Sequence, residues 1–176
     1  MTDILIGKQI LMVDDEPDVL EMLGELLSQC IIDSAESFET AQQYLSEKTY
    51  DAAILDIMGV NGYQLLELCK KKGIPAVMLT AHALSPAHLV TSVTKGADAY
   101  IPKDEMIHID SYLADVIASR AEHAPKEINW WKRLGPVFDK KFGPDWKKKN
   151  REYLKEFNFA QHRDEMEDIL YRVGAL

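Results

Sequence analysis

The chain has 176 residues and a net charge of −9, which suits one ordinary domain with an appendage. No apolar stretch approaches the ~18–20 residues that cross a bilayer, and no signal segment opens the chain, so we expect a cytoplasmic protein without membrane contact. The two cysteines, Cys30 and Cys69, belong to no metal-binding or redox motif and are expected to be buried thiols. The charge is uneven, because residues 1–120 carry 8 Lys/Arg against 19 Asp/Glu and residues 121–176 carry 12 against 10.

Short apolar runs alternate with amphipathic stretches through the first part of the chain. In chain order the strand candidates are KQILMV, the weaker CIIDSA, YDAAIL, PAVML and DAYI. Between these strand candidates and after the last one, apolar residues recur at helical spacing, at 19–27, 38–45, 65–68, 89–93 and 106–117. Nearly continuous apolar strands are typical of a parallel sheet covered on both faces. Five strands alternating with five helices therefore predict an α/β fold with a doubly wound, five-stranded parallel sheet.

Polar side chains stand where the predicted strands end. Asp14 and Asp15 follow the first strand, Asp56 the third, Thr80 the fourth and Lys103 the fifth. Because ligands of such folds bind outside the carboxyl ends of the strands, we expect these five side chains to converge. Three clustered carboxylates need compensation, and oxygen ligands of this kind suit Mg²⁺. The sequence therefore predicts a Mg²⁺ site at this edge of the sheet.

Four motifs in this order, VDDEPDV, ILDIM, MLTA and GADAYIPK, resemble the receiver domain of two-component response regulators over residues 8–120. The resemblance implies a flavodoxin-like fold in which Asp56 is the phosphoacceptor. A histidine kinase, a phosphotransfer protein or a small acyl phosphate would supply the phosphoryl group. The resemblance also implies that Asp15 and Asp56 hold Mg²⁺ directly. Asp14 would act through water, and the Met58 backbone carbonyl would be a further ligand.

The same resemblance implies a switch. Lys103 and Thr80 would contact the phosphoryl oxygens, and Tyr100 would turn inward as Thr80 moves. The face formed by the fifth strand and the helices on either side of it would then change shape for a downstream protein target. The chain would not be an enzyme beyond phosphorylating and dephosphorylating itself. A phosphatase of the haloacid dehalogenase type is disfavoured, because Met58 stands where that family needs a second aspartate.

Two departures from the family pattern flank this site. The segment DIMGVNG has no proline and reaches Gly62 six residues after Asp56, where the family usually has eight. Asp104 follows Lys103, where the family usually has a proline in a cis bond. A cis bond before a non-proline residue costs ~2.5–4 kcal/mol, so we expect a trans bond or a rearranged loop. Neither change removes an essential group, and we expect a phosphorylatable receiver with an unusual phosphate lifetime or kinase preference.

The chain is predicted to divide into a receiver domain at 1–122, a linker at 123–126 and a helical extension at 127–176. The extension is aromatic and basic, with nine Lys/Arg and three Asp/Glu between 126 and 151. Packing on the acidic receiver, or a homodimer contact, is the favoured interpretation, followed by docking of another protein. The alternative of a DNA-binding transcriptional regulator is less favoured, because the extension has no helix-turn-helix pattern and nucleic acid is an unlikely partner. The five histidines lack metal-ligand spacing and are expected at the surface or in packing.

Overall fold

The computed structural model describes residues 2–80, 88, 91–92, 95–121, 136–137, 139–140, 143 and 145. The strands are β1 (Gln9–Val13), β2 (Ile31–Ala35), β3 (Ala52–Asp56), β4 (Ala76–Thr80) and β5 (Ala99–Pro102). The α-helices are α1 (Pro17–Leu26), α2 (Phe38–Glu47), α3 (Gly62–Lys71) and α4 (Ile109–Ala121). Two 3₁₀ helices, Thr2–Leu5 and Lys103–His108, precede β1 and follow β5.

Some predicted parts lie outside the described residues. These are most of the helical pattern at 89–93, the linker at 123–126 and most of the extension at 127–176. The domain boundaries therefore remain predictions. No helix in the described part of the chain is long and apolar enough to span a membrane.

The five strands form one parallel sheet in the order β2-β1-β3-β4-β5, which confirms the predicted doubly wound architecture. The direction of strand progression reverses between β1 and β3, the position at which such folds bind ligands. The register sets Asp56 beside Leu79 and Thr80 beside Pro102, so the carboxyl ends of these strands lie level.

Strand burial explains why four strands were clear in the sequence and one was weak. Every residue of β3, β4 and β5 is buried, as is β1 after Gln9, since helices cover both faces of the sheet. Helix α1 contacts α4, and α2 contacts α3, which gives one helical layer on each face. Strands β2 and β5 are the two edge strands, and β2 is the less covered: Ile31 is 55% exposed, and polar residues interrupt the apolar run of β2.

The last helix differs from the prediction and from the other helices. The pattern at 106–117 predicts one helix, but Met106 belongs to the 3₁₀ helix and α4 begins only at Ile109. In α1, α2 and α3 a row of side chains is exposed, whereas between 109 and 120 Arg120 alone is exposed. The 3₁₀ helix Thr2–Leu5 packs on α4 with Leu5 fully buried. Val137, from the extension, also packs against the core.

Candidate functional site

The acidic run after β1 separates into buried and exposed side chains. The Asp14 side chain is fully buried, and its Oδ1 accepts a hydrogen bond from the Glu16 backbone N–H at 3.0 Å. Asp15 and Glu16 are exposed, which spares two of the three carboxylates the cost of burial. The sheet edge thus receives one buried acid and two acids open to solvent.

The end of β3 supplies the second buried acid. Asp56 is 3% exposed, and its Oδ2 accepts a hydrogen bond from the Met58 backbone N–H at 2.8 Å. One carboxylate oxygen each from Asp14, Asp15 and Asp56 lie within 4.8 Å of one another. The predicted convergence of the three aspartates is therefore present.

Lys103 joins this cluster from the end of β5. Its Nζ lies 2.7 Å from Asp14 Oδ2, 3.2 Å from Asp56 Oδ1 and 2.8 Å from Glu16 Oε1. The sequence predicted Lys103 but not Glu16, whose long side chain reaches the lysine from the start of α1. Among the described residues there is no cis peptide, so the Lys103–Asp104 bond is trans, as expected. The 3₁₀ helix begins at Lys103 itself.

The electrostatics of the cluster leave it short of positive charge. Burial, and then the neighbouring Asp14, raise the pKa of Asp56 to about 6, although Lys103 opposes both. Burial also raises the pKa of Asp14, again against Lys103. Burial disfavours the Lys103 ammonium, but its contacts with Asp14 and Glu16 outweigh this and raise its pKa. One ammonium shared among three carboxylates leaves excess negative charge, and an oxygen-only donor set with that excess fits a hard divalent cation.

The shortened loop between β3 and α3 closes through two glycines. The Met58 carbonyl accepts a hydrogen bond from the Val60 N–H at 2.7 Å, a three-residue turn around Gly59, whose φ is 73°. A Cβ at Gly59 would collide with the Asp15 carboxylate, and one at Gly62 with the Asp56 carbonyl oxygen. A carbonyl oxygen has two lone pairs, so Met58 retains one for a further ligand.

Thr80 and Tyr100 lie beside the cluster on β4 and β5. Thr80 is 6% exposed, and Tyr100 is fully buried with its ring inside the fold. Burial raises the pKa of the Tyr100 hydroxyl, and its interaction with Thr80 opposes this rise. Thr80 pairs with Pro102 in the register, two residues after Tyr100, so the two side chains expected to switch together are diagonal neighbours on one face of the sheet.

A further polar contact, which the sequence did not indicate, connects α3 with the segment after β4. The Tyr63 hydroxyl lies 3.1 Å from His88 Nδ1 and accepts a hydrogen bond from Ser92 Oγ at 3.4 Å. The Tyr63 and His88 rings stack, with centroids 6.3 Å apart and planes 8° apart. His88 therefore has the packing role expected for the histidines. Tyr63 follows Gly62 directly, so the contact begins next to the loop that follows Asp56.

The sheet order, the acidic cluster and the lysine at the strand ends define a receiver-type protein. The chain belongs to the response regulator receiver domain family, whose model matches residues 10–111. This confirms the resemblance drawn from the four motifs, and the rest of the chain is not assigned to a family. Receiver domains are phosphoacceptors rather than classical enzymes, bind Mg²⁺ at an acidic pocket, and interact with histidine kinases and downstream targets.

Relatives and solved structures agree with this family. A two-component response regulator of Arabidopsis thaliana is 31% identical over 123 residues, covering 65% of this chain and 20% of that protein. The phosphate regulon transcriptional regulatory protein PhoB of Pseudomonas aeruginosa is 32% identical, covering 56% of this chain and 46% of that protein. The structure of a putative response regulator from Chloroflexus aurantiacus matches with a TM-score of 0.53 and 27% identity, covering 61% of this chain and 98% of that one. A receiver domain from Methanospirillum hungatei matches with a TM-score of 0.55 and 24% identity, covering 65% and 98%.

The matched region spans less than half of either relative's own length. The response regulator MtrA of Mycolicibacterium smegmatis is named as DNA-binding, and PhoB is named as a transcriptional regulatory protein. The family match ends at residue 111, before the extension begins. These relatives therefore do not favour the DNA-binding alternative over the receiver function.

Proposed function

We propose that this chain is a phosphorylation-controlled signalling protein in which Asp56 accepts a phosphoryl group from a histidine kinase or phosphotransfer protein. The observation that carries the proposal is the position of Lys103 Nζ, in contact with both Asp14 and Asp56 at the strand ends. That ammonium is a compact point charge within reach of any group added to Asp56. A location in the cytoplasm would suit this role.

Asp15 and Asp56 are proposed to hold Mg²⁺ directly, Asp14 through water, and Met58 through its carbonyl. The ion would offset negative charge on the transferring phosphoryl group. The residues themselves fix the nucleophile, since the Met58 N–H holds Asp56 Oδ2 and Lys103 approaches Oδ1. This leaves the carboxylate oriented before the donor arrives.

In the proposed transfer, an Asp56 carboxylate oxygen forms a bond to phosphorus. The bond from phosphorus to the donor's histidine nitrogen, or to an acyl phosphate oxygen, breaks, and the leaving atom keeps the electron pair. Lys103 then exchanges its contacts with Asp14 and Glu16 for the new phosphoryl oxygens. Water attack on the acyl phosphate later restores the Asp56 carboxylate and releases inorganic phosphate.

The switch is proposed to start at Thr80, whose hydroxyl would donate to a phosphoryl oxygen. Its position diagonally across from the buried Tyr100 on the neighbouring strand supports coupling between the two residues. Movement of Thr80 would change the surface next to β5 and α4, and a downstream protein target or a second copy of the chain would read that surface.

The test is the intact mass of the full chain after incubation with acetyl phosphate and Mg²⁺. Wild type should gain one phosphoryl group and Asp56→Asn none. Asp33→Asn, on β2, is the matched control and should be modified like wild type. Equal modification of wild type and Asp56→Asn would contradict the assignment of Asp56, and no modification of either would contradict the proposed function.

A further inference from the structure

We propose that the C-terminal extension docks on its own receiver domain, with Val137 as the anchor and the outer face of α4 as the docking surface. This outer face consists of Ser111, Ala114, Asp115 and Ala118, which lie opposite the residues that α4 packs on the sheet. The proposal does not depend on phosphorylation of Asp56.

The first observation is that the outer face of α4 is covered. Ala114 is buried, and Ser111, Asp115 and Ala118 are half-buried. The 3₁₀ helix Thr2–Leu5 packs on α4, but four residues of 3₁₀ helix are only ~8 Å long. The thirteen residues of α4 extend over ~20 Å, so a second element is needed to cover them.

The second observation is the position of Val137. This side chain is half-buried and packs against the receiver core, although it follows α4 by more than a dozen residues. Residues 136, 137, 139 and 140 are helical, and the Gly143 N–H donates a hydrogen bond to the Asp139 carbonyl at 3.1 Å. Most helical stability in proteins comes from tertiary packing, so the contact of Val137 with the receiver core stabilises this segment.

Charge favours the same pairing. Asp115 lies on the outer face, and Asp104, Glu105 and Asp110 precede it in the same region. Basic residues stand on both sides of Val137 in the sequence, at Lys132, Arg133, Lys140 and Lys141. The negative charge of this region and the positive charge of the extension attract each other and favour the docked orientation.

Chain connectivity favours docking of the extension on the receiver domain of its own chain rather than on that of a second copy. Fourteen residues separate Ala121 from Pro136, enough to reach ~45–50 Å when extended. Such a tether gives an effective concentration in the millimolar range, well above the concentration of a second chain in dilute solution. Any partner that uses the outer face of α4 must therefore displace the extension first.

The test compares full-length wild type with Val137→Asp by hydrogen exchange and limited trypsin digestion. In Val137→Asp we expect peptides from α4 to exchange at least tenfold faster, and cleavage after Lys140 and Lys141 to accelerate similarly. Met22→Asp is the matched control, since Met22 is 50% exposed on α1, and it should change neither rate. The double variant Lys132→Glu, Arg133→Glu keeps Val137 and should give a smaller acceleration in α4 that weakens as salt is added.

Two results would overturn the proposal. One is that Val137→Asp and wild type have the same cleavage and exchange rates, which would mean that the extension is not docked. The other is a wild-type dimer, seen by sedimentation, that Val137→Asp converts to a monomer, which would assign the surface to a second copy of the chain.

Discussion

At the level of single residues, Lys103 divides its charge among three carboxylates. Replacing it with methionine in Lys103→Met removes a cation that lies within 3.2 Å of two of the proposed metal ligands. We expect the affinity for Mg²⁺ to rise at least about tenfold, because a dication no longer competes with the ammonium. Titration calorimetry measures this, and phosphorylation by acetyl phosphate should fall in the same variant.

Lys95→Met is the control for this change, because Lys95 also forms an ion pair, with Glu67 at 2.6 Å, but is exposed and away from the cluster. Its Mg²⁺ affinity should equal that of wild type. An unchanged affinity in Lys103→Met would show that the ammonium does not compete for these carboxylates.

Asp56→Asn should stabilise the metal-free protein. The folded-state pKa of Asp56 is about 6 against an ordinary value of 3.8, because burial and Asp14 disfavour the carboxylate. Folding of wild type at pH 7 therefore carries a penalty on the order of 2–3 kcal/mol that the amide lacks. Because the folded state of wild type binds the proton more readily, the stability difference between the two proteins should be complete above about pH 7, shrink as pH falls, and vanish below about pH 4.

Urea unfolding in EDTA at several pH values tests this prediction. Asp51→Asn is the control, because the pKa of Asp51 is shifted in the opposite direction. Burial raises this pKa, but the hydrogen bonds from the Gln9 N–H and Lys8 outweigh burial and lower it. That substitution should cost less than about 1 kcal/mol, since the pair is partly exposed. Equal stability of wild type and Asp56→Asn at pH 7 would refute the penalty.

Sequence reasoning located Asp14, Asp15, Asp56 and Lys103 because the ends of parallel strands must meet. It missed Glu16, since nothing in the periodicity of a strand or helix tells how far a flexible side chain at a helix start will reach. The chemical roles of these residues remain predictions that the mass measurement tests.

At the level of elements, the loop from β3 to α3 depends on Gly59. Gly59→Ala places a β-carbon against the Asp15 carboxylate and forces a non-glycine residue to a φ of 73°. We expect a stability loss of about 1–2 kcal/mol from the backbone and, in addition, weaker Mg²⁺ binding because Asp15 must move.

Gly73→Ala separates the two effects. Gly73 has a φ of 71°, but a Cβ there meets nothing within 4 Å. It should lose similar stability and bind Mg²⁺ like wild type. If both variants bind Mg²⁺ equally well, the contact between Gly59 and Asp15 has no role in the metal site.

The elements also show what a sequence pattern can resolve. Apolar runs identified the buried strands, while the partial exposure of β2 weakened its pattern. The spacing from Met106 onward predicted one helix, because a 3₁₀ turn and an α-helix place apolar residues at nearly the same intervals. The contact of Tyr63 with His88 lies between elements far apart in the chain, where no periodicity applies.

At the level of the whole molecule, Asp98 connects parts of the fold distant from the acidic cluster. It accepts hydrogen bonds from the Ala76 N–H at 3.0 Å and from Arg120 at 3.1 and 3.2 Å, which joins the start of β4 to the end of α4. Asp98→Ala should lower the free energy of unfolding by about 2–4 kcal/mol, because it leaves a backbone donor and a guanidinium without their acceptor.

Thermal or urea unfolding measures this loss, and the folded fraction should still accept a phosphoryl group, since Asp98 lies at the amino ends of the strands. Glu67→Gln breaks an exposed ion pair and should cost less than about 1 kcal/mol. A loss in Asp98→Ala no larger than in Glu67→Gln would contradict the structural role of Asp98.

The overall architecture followed from sequence because each βα unit repeats the same pattern and the parallel connection has one favoured hand. The partner of the extension did not follow, since its stripes of aromatic and basic residues suit several surfaces equally. Burial of α4 and the packing of Val137 are properties of the folded chain alone.

The sharing of Lys103 among three acids also has a consequence for protein synthesis. Lys103 lies 47 residues after Asp56, so the ribosome makes all the acidic residues of the cluster before their counter-charge. At roughly 5–20 residues per second, that interval lasts about 2–9 seconds. During it, β1 and β3 can pair only with their carboxylates protonated, bound to a cation from solution, or turned toward water. Stable pairing of β1 with β3 in the nascent chain should therefore wait until Lys103 has left the exit tunnel, and free Mg²⁺ in the cell would advance that pairing.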